Sequence, residues 1–180
     1  DSRDYVKDST AATGTYRLVD ADRGIVYEEL KLTGGQMEFS QNIPGKDLQV
    51  VFYGYQLEND SDGLYVLLNE SAKSTAEIRW IQPVLETAPT VNGTVTGGTA
   101  LRDVEVTGGR AVYKVAANAY QEAAGTWTWV TPGHTLSGEG EQEFTMTFVP
   151  EDEDGFRRIT GIKVKLTVTK REVEIPLIAG

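Results

Sequence analysis

The sequence predicts an all-β protein made of two β-sandwich domains in series. Apolar and polar residues alternate in several runs, which is the period of a strand with one buried and one wet face. Turn-forming glycines and prolines separate these runs, and no stretch has a sustained helical period. The alternating runs are 14–20, 48–57, 76–81, 144–148 and 161–168. One other segment, "AANAYQEAA" at 116–124, is compatible with a turn or two of helix.

The turns are predicted from glycine and proline. Gly-Gly pairs stand at 34–35, 97–98 and 108–109. Such a pair suits a tight hairpin because glycine adopts positive φ without steric cost. Further turn segments are "NIPGKD" at 42–47, "NDSDG" at 59–63, "TPG" at 131–133 and "EDEDG" at 151–155. Strands about 8 to 15 residues apart with such turns favour a sandwich.

The domain boundary is predicted near residue 88. A chain of 180 residues is long enough for two small domains. The segment 87–94 has no periodicity and contains Pro89, so we expect a linker between domains 1–88 and 89–180. The segments 24–35 and 98–109 share a pattern that ends in aliphatic-Thr-Gly-Gly. That likeness indicates either a repeat or two unrelated acidic hairpins.

Composition excludes some classes of function. The formal net charge of −10 argues against nucleic-acid partners, which are bound through clustered Lys and Arg. No apolar run is long enough for membrane insertion. The absence of cysteine excludes disulfides and thiol catalysis. The sequence indicates no cofactor.

Two motifs in the second half carry a resemblance. The first is Gly-Thr-aromatic-x-Trp, matched by 125–129, and the second is Phe-x-Pro-x-Asp with an aromatic residue four positions on, matched by 148–156. Together with "GGTALRDVEVTGG" and "ITGIKVKLTVTK", they make residues 92–170 resemble the immunoglobulin-like tandem repeats of Gram-positive bacterial cell-surface proteins. The resemblance implies an extracellular, cell-wall-associated module with stalk or adhesion roles, neighbouring repeats as partners and no catalytic residues.

The resemblance leaves the first half unassigned. If one half recognises a host glycan or protein, we expect the N-terminal one, because it carries Tyr53, Tyr55 and Tyr65. Strand alternation places Val51, Tyr53 and Tyr55 on one face. A strand buried on both sides explains these aromatic residues equally well.

Trp127 and Trp129 decide between two functions. In a strand they share one face, while the threonines at 126 and 128 point the other way. A small domain needs aromatic mass in its core, so we expect both rings inside. Exposed rings would instead indicate a carbohydrate-binding module of a secreted glycoside hydrolase.

A calcium loop is one interpretation of "ENDSDG" at 58–63, with Asp60 and Asp62 as ligands. Acidic residues alternate before a glycine, as in a calcium loop, but the twelfth position is Asn69 and the glutamate comes one place late. An Asx turn explains the segment more simply. The acidic loop 150–156 allows the same two interpretations, and there too we expect a solvated turn.

No enzyme is predicted. His134 follows a Pro-Gly turn and is expected to be a surface residue. Glutamate pairs such as 28–29 and 139/141 arise by chance on an acidic surface, although glycoside hydrolysis uses paired carboxylates. A Lys–Asn amide cross-link has many candidate residues and no motif that selects a pair. These candidates are Lys31, Lys46, Lys163, Asn42, Asn69, Asn118 and the acid Glu77.

Overall fold

The chain is all-β, as predicted. The computed structural model describes residues 1–58 and 60–176, and these form two compact units, Asp1–Trp80 and Ile81–Gly180. The only helical element in the described part is a 3-10 turn at Leu101–Asp103. None of the described residues belongs to a helix with the length and apolar character to cross a bilayer.

The described residues of the first unit form six strands. They are β1 (Arg3–Asp4), β2 (Leu18–Val19), β3 (Val26–Tyr27), β4 (Leu32–Phe39), β5 (Gly45–Leu57) and β6 (Ser71–Arg79). Four of them form a sheet in the order β1-β6-β5-β4, in which only the β1–β6 pair is parallel. β2 and β3 form a separate antiparallel hairpin.

One face of the four-stranded sheet carries the core of the first unit. Phe39 lies opposite Val50 across the β4–β5 pair, and Ile78 of β6 lies opposite Gly45. These three apolar side chains are buried, together with Tyr5, Leu30 and Leu48. Apart from Leu30, which precedes β4 near the opposite end, the core is concentrated at the end of the sheet where β1 pairs with β6.

Seven strands lie in the part of the second unit that the structure describes. They are β7 (Val84–Thr90), β8 (Thr94–Thr96), β9 (Thr107–Ala116), β10 (Ala119–Glu122), β11 (Gly125–Trp129), β12 (Gly140–Pro150) and β13 (Ile159–Thr169). One sheet has the order β10-β9-β7 and the other the order β11-β12-β13-β8. The segment 116–124, which is compatible with a turn or two of helix, instead forms the β9–β10 turn and strand β10, since Ala119 pairs with Ala116.

The inward face of β13 shows the predicted alternation. Ile162, Val164, Leu166 and Val168 are all buried, and the residues between them are exposed. These side chains pack in one cluster with Met146 and Phe148 of β12, Trp129 of β11 and Ala111 of β9. Side chains from both sheets therefore make one core, which is the packing of a sandwich.

The predicted linker at 87–94 is largely a strand. Residues 87–90 belong to β7, where Thr87 pairs with Arg110 and Pro89 with Gly108. The second unit begins at Ile81, earlier than the expected boundary near residue 88. Proline suits this position because β7 is an edge strand, where a missing N–H need not break a ladder.

Two of the three Gly-Gly pairs lie inside strands instead of hairpin turns. Gly34 and Gly35 are in β4, and Gly108 and Gly109 are in β9. The φ angles are 67° and 92° in the first pair and 65° and 82° in the second. A ring lies over the second glycine each time: Phe52 over Gly35 and Trp127 over Gly109. Glycine is required here for backbone conformation and for ring packing.

The chain passes through the second unit from one end to the other. Ile81 forms a parallel bridge with Phe156, just before β13 begins. At the other end of β13, Thr94–Thr96 of β8 pairs in parallel with Thr167–Thr169. The 11 residues of β13 span about 35 Å, so the first and last residues of the unit's sheets lie that far apart.

Candidate functional site

The two tryptophans of β11 face the core of the second unit. Trp129 is 8% exposed, and the Trp127 ring packs against the same cluster. The Trp127 ring centre lies 4.9 Å from that of Phe148, and the Trp129 ring meets Phe144 edge-on at 6.4 Å. Thr126 and Thr128 are exposed on the other face. The predicted orientation is confirmed, so the rings form no open platform.

The loop with Asp60 and Asp62 is built around one carboxylate. The Asp60 side chain accepts hydrogen bonds from the backbone N–H of Leu64 at 2.9 Å and of Tyr65 at 3.4 Å. These bonds stabilise a turn, but they reach the fourth and fifth residues along the chain, whereas the predicted Asx turn would bond the second. Asp62 is exposed in the same turn. In the part of the chain that the structure describes, no three Asp, Glu or His side chains converge as metal ligands.

The second acidic loop, 150–156, is also a turn. The Phe156 N–H donates to the Asp152 carbonyl at 3.1 Å, and Arg158 forms an ion pair with Glu153. One Asp152 carboxylate oxygen is buried without a hydrogen bond. The loop joins β12 to β13, as the resemblance implies.

The other acid–base candidates are dispersed. His134 is exposed in the loop after Gly133, with its ring 5.2 Å from that of Phe144. Glu141 is held by Lys165 at 2.7 Å and Glu139 by Lys170 at 3.1 Å. The Glu141 contact raises the pKa of Lys165. These carboxylates are therefore surface ion-pair partners.

The described residues show no contact between a lysine and an asparagine of the set considered for a Lys–Asn cross-link. Lys163 donates to Thr145 Oγ1 at 3.1 Å. Asn42 donates to the Val6 carbonyl at 2.9 Å, and Asn69 donates to the Ser71 carbonyl at 2.8 Å. Each of these groups is occupied by a different, local partner.

The tyrosines of the first unit do not form one surface. The Tyr53 hydroxyl donates to Gln36 Oε1 at 3.1 Å, whereas Tyr65 packs edge-on against Tyr27 at 5.4 Å. Tyr55 was expected on the face of Tyr53, but its ring lies 4.7 Å from that of Phe52. Gly54, which lies between Tyr53 and Tyr55, has a φ of 72° and interrupts the alternation of side chains along the strand.

A cleft of about 570 Å³ opens beside the outer edge of β6. Its floor is the sheet face that carries the core, and Asp1 and Ser2, which directly precede β1, are among the residues that line it. Ala72, Ser74 and Ala76 of β6 supply small side chains there, and Phe52 and Met37 supply larger ones. The Tyr16 ring, in the opposite wall, stacks on Phe52 at 5.7 Å. The volume lies in the range of ordinary binding clefts.

The cleft was not anticipated from the sequence. Its signal is present in "SAKSTAE", where small residues occupy every second position of a strand. The alternation predicts which residues share a face, but the burial of that face depends on which strands lie beside it.

Comparison with known proteins gives no assignment. No protein-family model matches the chain, and no significant similarity to a curated protein or to a solved structure was found.

Proposed function

We propose that this chain is a non-catalytic structural or adhesion module of an extracellular bacterial surface protein. The observation that carries the proposal is the packing of Trp127 and Trp129 into the core of the second unit. Aromatic residues used in this way stabilise a small sandwich and are withdrawn from ligand binding. The resemblance of residues 92–170 to immunoglobulin-like surface repeats supports the same role.

The path of the chain supports a spacer role for the second unit. A module whose first and last strands end at opposite poles adds its own length to a tandem array. The bridge at Ile81 and the pairing of Thr94–Thr96 with the end of β13 give that arrangement. A module with both connections at one pole would add far less length.

Recognition of a host glycan or protein belongs to the first unit in this proposal. The first unit exposes apolar side chains at Leu64, Val66 and Leu68, and Tyr53 and Tyr65 are also partly exposed. Exposed apolar and aromatic side chains are common at recognition surfaces. A glycan array probed with the intact chain, and again with a Tyr65→Ala variant, tests this part.

Tryptophan fluorescence tests the scaffold role against the carbohydrate-binding alternative. We expect a Trp80→Phe variant, which keeps only Trp127 and Trp129, to emit in the blue-shifted range of buried indoles. Soluble polysaccharides should leave the emission unchanged. A red-shifted spectrum that responds to a polysaccharide would overturn the proposal and favour the carbohydrate-binding module. A Val130→Ala variant, altered at an exposed neighbour, serves as the control.

A further inference from the structure

The outer edge of β6 is open over part of its length. β1 pairs only with Ile78 and Arg79, and the Glu77 N–H donates to Ser2 Oγ at 3.0 Å. In an antiparallel ladder, alternate residues turn their backbone N–H and C=O away from the neighbouring strand. Lys73 and Thr75 therefore turn theirs to the same side as Glu77. No described residue pairs with them there, so the edge can accept another strand.

The cleft next to this edge has room for the side chains of an added strand. Ala72, Ser74 and Ala76 face it, and all three are small. Every second side chain of a strand added to β6 would lie on this face. Apolar side chains at those positions would fill the cleft and contact Phe52.

A segment of matching pattern lies at the other end of the chain. Residues 172–175 read Glu-Val-Glu-Ile, and Val173 and Ile175 are 83% and 87% exposed. No hydrogen bond joins 172–176 to another described residue. An alternating acidic and apolar segment with free backbone groups is suited to strand addition.

Charge agrees with this pairing. Lys73 also borders the cleft, but strand alternation turns its side chain away from those of Ala72 and Ser74, and no described residue forms an ion pair with it. With Val173 and Ile175 in the cleft, Glu172 and Glu174 would lie on the face of Lys73. Glu77 is on that face too and would repel Glu172 and Glu174. The added strand is therefore expected to pair in the register that places its two glutamates near Lys73 and away from Glu77.

We propose that residues 172–175 of a second copy of this chain add as a strand to the β6 edge. The contact uses different surfaces of the two copies, so it is heterologous and extends head to tail. A four-residue strand buries much less than the roughly 800 Å² per partner of a stable complex, so self-association is weak and dependent on concentration. The inference stands independently of the proposed function.

Disulfide trapping tests the proposal directly, because the chain has no cysteine. A Thr75→Cys variant is mixed with a Glu174→Cys variant of different tag length under mild oxidation. Opposed strand residues meet the Cα separation that a disulfide needs. We expect the mixed dimer to form at least several-fold faster than with Thr33→Cys, a matched variant in β4 at the opposite edge of the sheet. Equal rates would overturn the proposal.

Two further variants fix the mode of binding. In the first, Val173→Glu and Ile175→Glu are added to the Glu174→Cys chain. We expect its disulfide with the Thr75→Cys chain to form no faster than the disulfide with the Thr33→Cys control. Because both residues are exposed, folding is unaffected. A chain with both Thr75→Cys and Glu174→Cys identifies the occupant. If that chain forms an internal disulfide while the single variants form no mixed dimer, the added strand comes from the same chain, and the proposal of a second copy is overturned.

Discussion

Gly108 and Gly109 are neighbours in β9 that meet different physical constraints. Both have positive φ, at 65° and 82°. A Cβ on Gly108 would meet no atom within 4 Å, whereas a Cβ on Gly109 would lie 2.8 Å from the Trp127 ring. The pair therefore separates the cost of backbone strain from the cost of a displaced core aromatic ring.

We predict that Gly109→Ala destabilises the second unit more than Gly108→Ala. Left-handed backbone costs an alanine about 1–2 kcal/mol, and overpacking costs about 1–3 kcal/mol more. Urea unfolding followed by tryptophan emission measures both variants. Gly133→Ala, at an open position with no positive φ, is the control and should change stability by less than about 0.5 kcal/mol. Equal losses at 108 and 109 would show that Trp127 does not need the space over Gly109.

Single residues also show where sequence reasoning succeeds and where it stops. Strand period predicts that Trp127 and Trp129 share one face, and the need of a small domain for aromatic mass in its core predicts that this face is inward. The structure confirms both expectations. The same rule fails at Tyr55, because the positive φ of Gly54 interrupts the alternation. A Gly-Gly pair indicates positive φ, but it cannot tell a hairpin turn from a strand covered by a ring that is distant in sequence.

The β2–β3 hairpin is held by the carboxylate of Asp20. This side chain accepts the N–H of Arg23 at 2.7 Å, the N–H of Asp22 at 2.9 Å and the Tyr27 hydroxyl at 3.1 Å. The Arg23 bond is the main cause of a pKa below the ordinary value of 3.8 for Asp20. The hydrogen bond to Asp20 likewise raises the pKa of Tyr27.

We predict that the hairpin loses this support in acid. A carboxyl whose folded pKa is depressed stabilises the fold above its unfolded pKa, and the contribution disappears as pH falls through the folded pKa. The thermal midpoint of the wild type should exceed that of Asp20→Asn at pH 7, and the two should converge below about pH 3.8. Asp22→Asn removes the same charge from the same turn and controls for net charge. A difference that persists in strong acid would contradict the assignment.

Among the elements, some long strands were predictable and their partners were not. Of the predicted run 14–20 only Leu18–Val19 is a strand, and the ten-residue β9 was not among the predicted runs. The runs at 48–57 and 161–168 lie within β5 and β13. The predicted linker instead became β7, because an aperiodic sequence with proline can still supply an edge strand. The open edge of β6 depends on the shortness of β1, which no local pattern in β6 encodes.

The two units differ in how completely the apolar residues of the segments between their strands are covered. In the second, residues from β9, β11, β12 and β13 share one cluster. In the first, Leu64, Val66 and Leu68 are 74%, 79% and 77% exposed in a segment outside the strands. Exposed apolar segments without strand pairing open at low free-energy cost.

We predict that brief digestion with chymotrypsin cuts the intact chain first within 64–68. Leu and Tyr side chains are available there, and the backbone is outside any ladder. Mass spectrometry of the early fragments locates the cut. Phe148, which is buried, provides the internal comparison and should resist cleavage. First cleavage after Phe148 would contradict the difference in coverage between the units.

Parallel pairs lie at both ends of the second unit, at Ile81–Phe156 just before β13 and at Thr94–Thr96 with the last residues of β13. They determine how the unit would carry tension. A pull applied through Ile81 and Thr169 runs along the strands, so the bonds between β8 and β13 are sheared together instead of being peeled one at a time. Thr167–Thr169 would bear that load against Thr94–Thr96, with Gly97 adding a further bond at 2.8 Å. Proline at position 95 should therefore lower the rupture force measured by single-molecule pulling. Shear loading of this kind agrees with the spacer role proposed for the second unit.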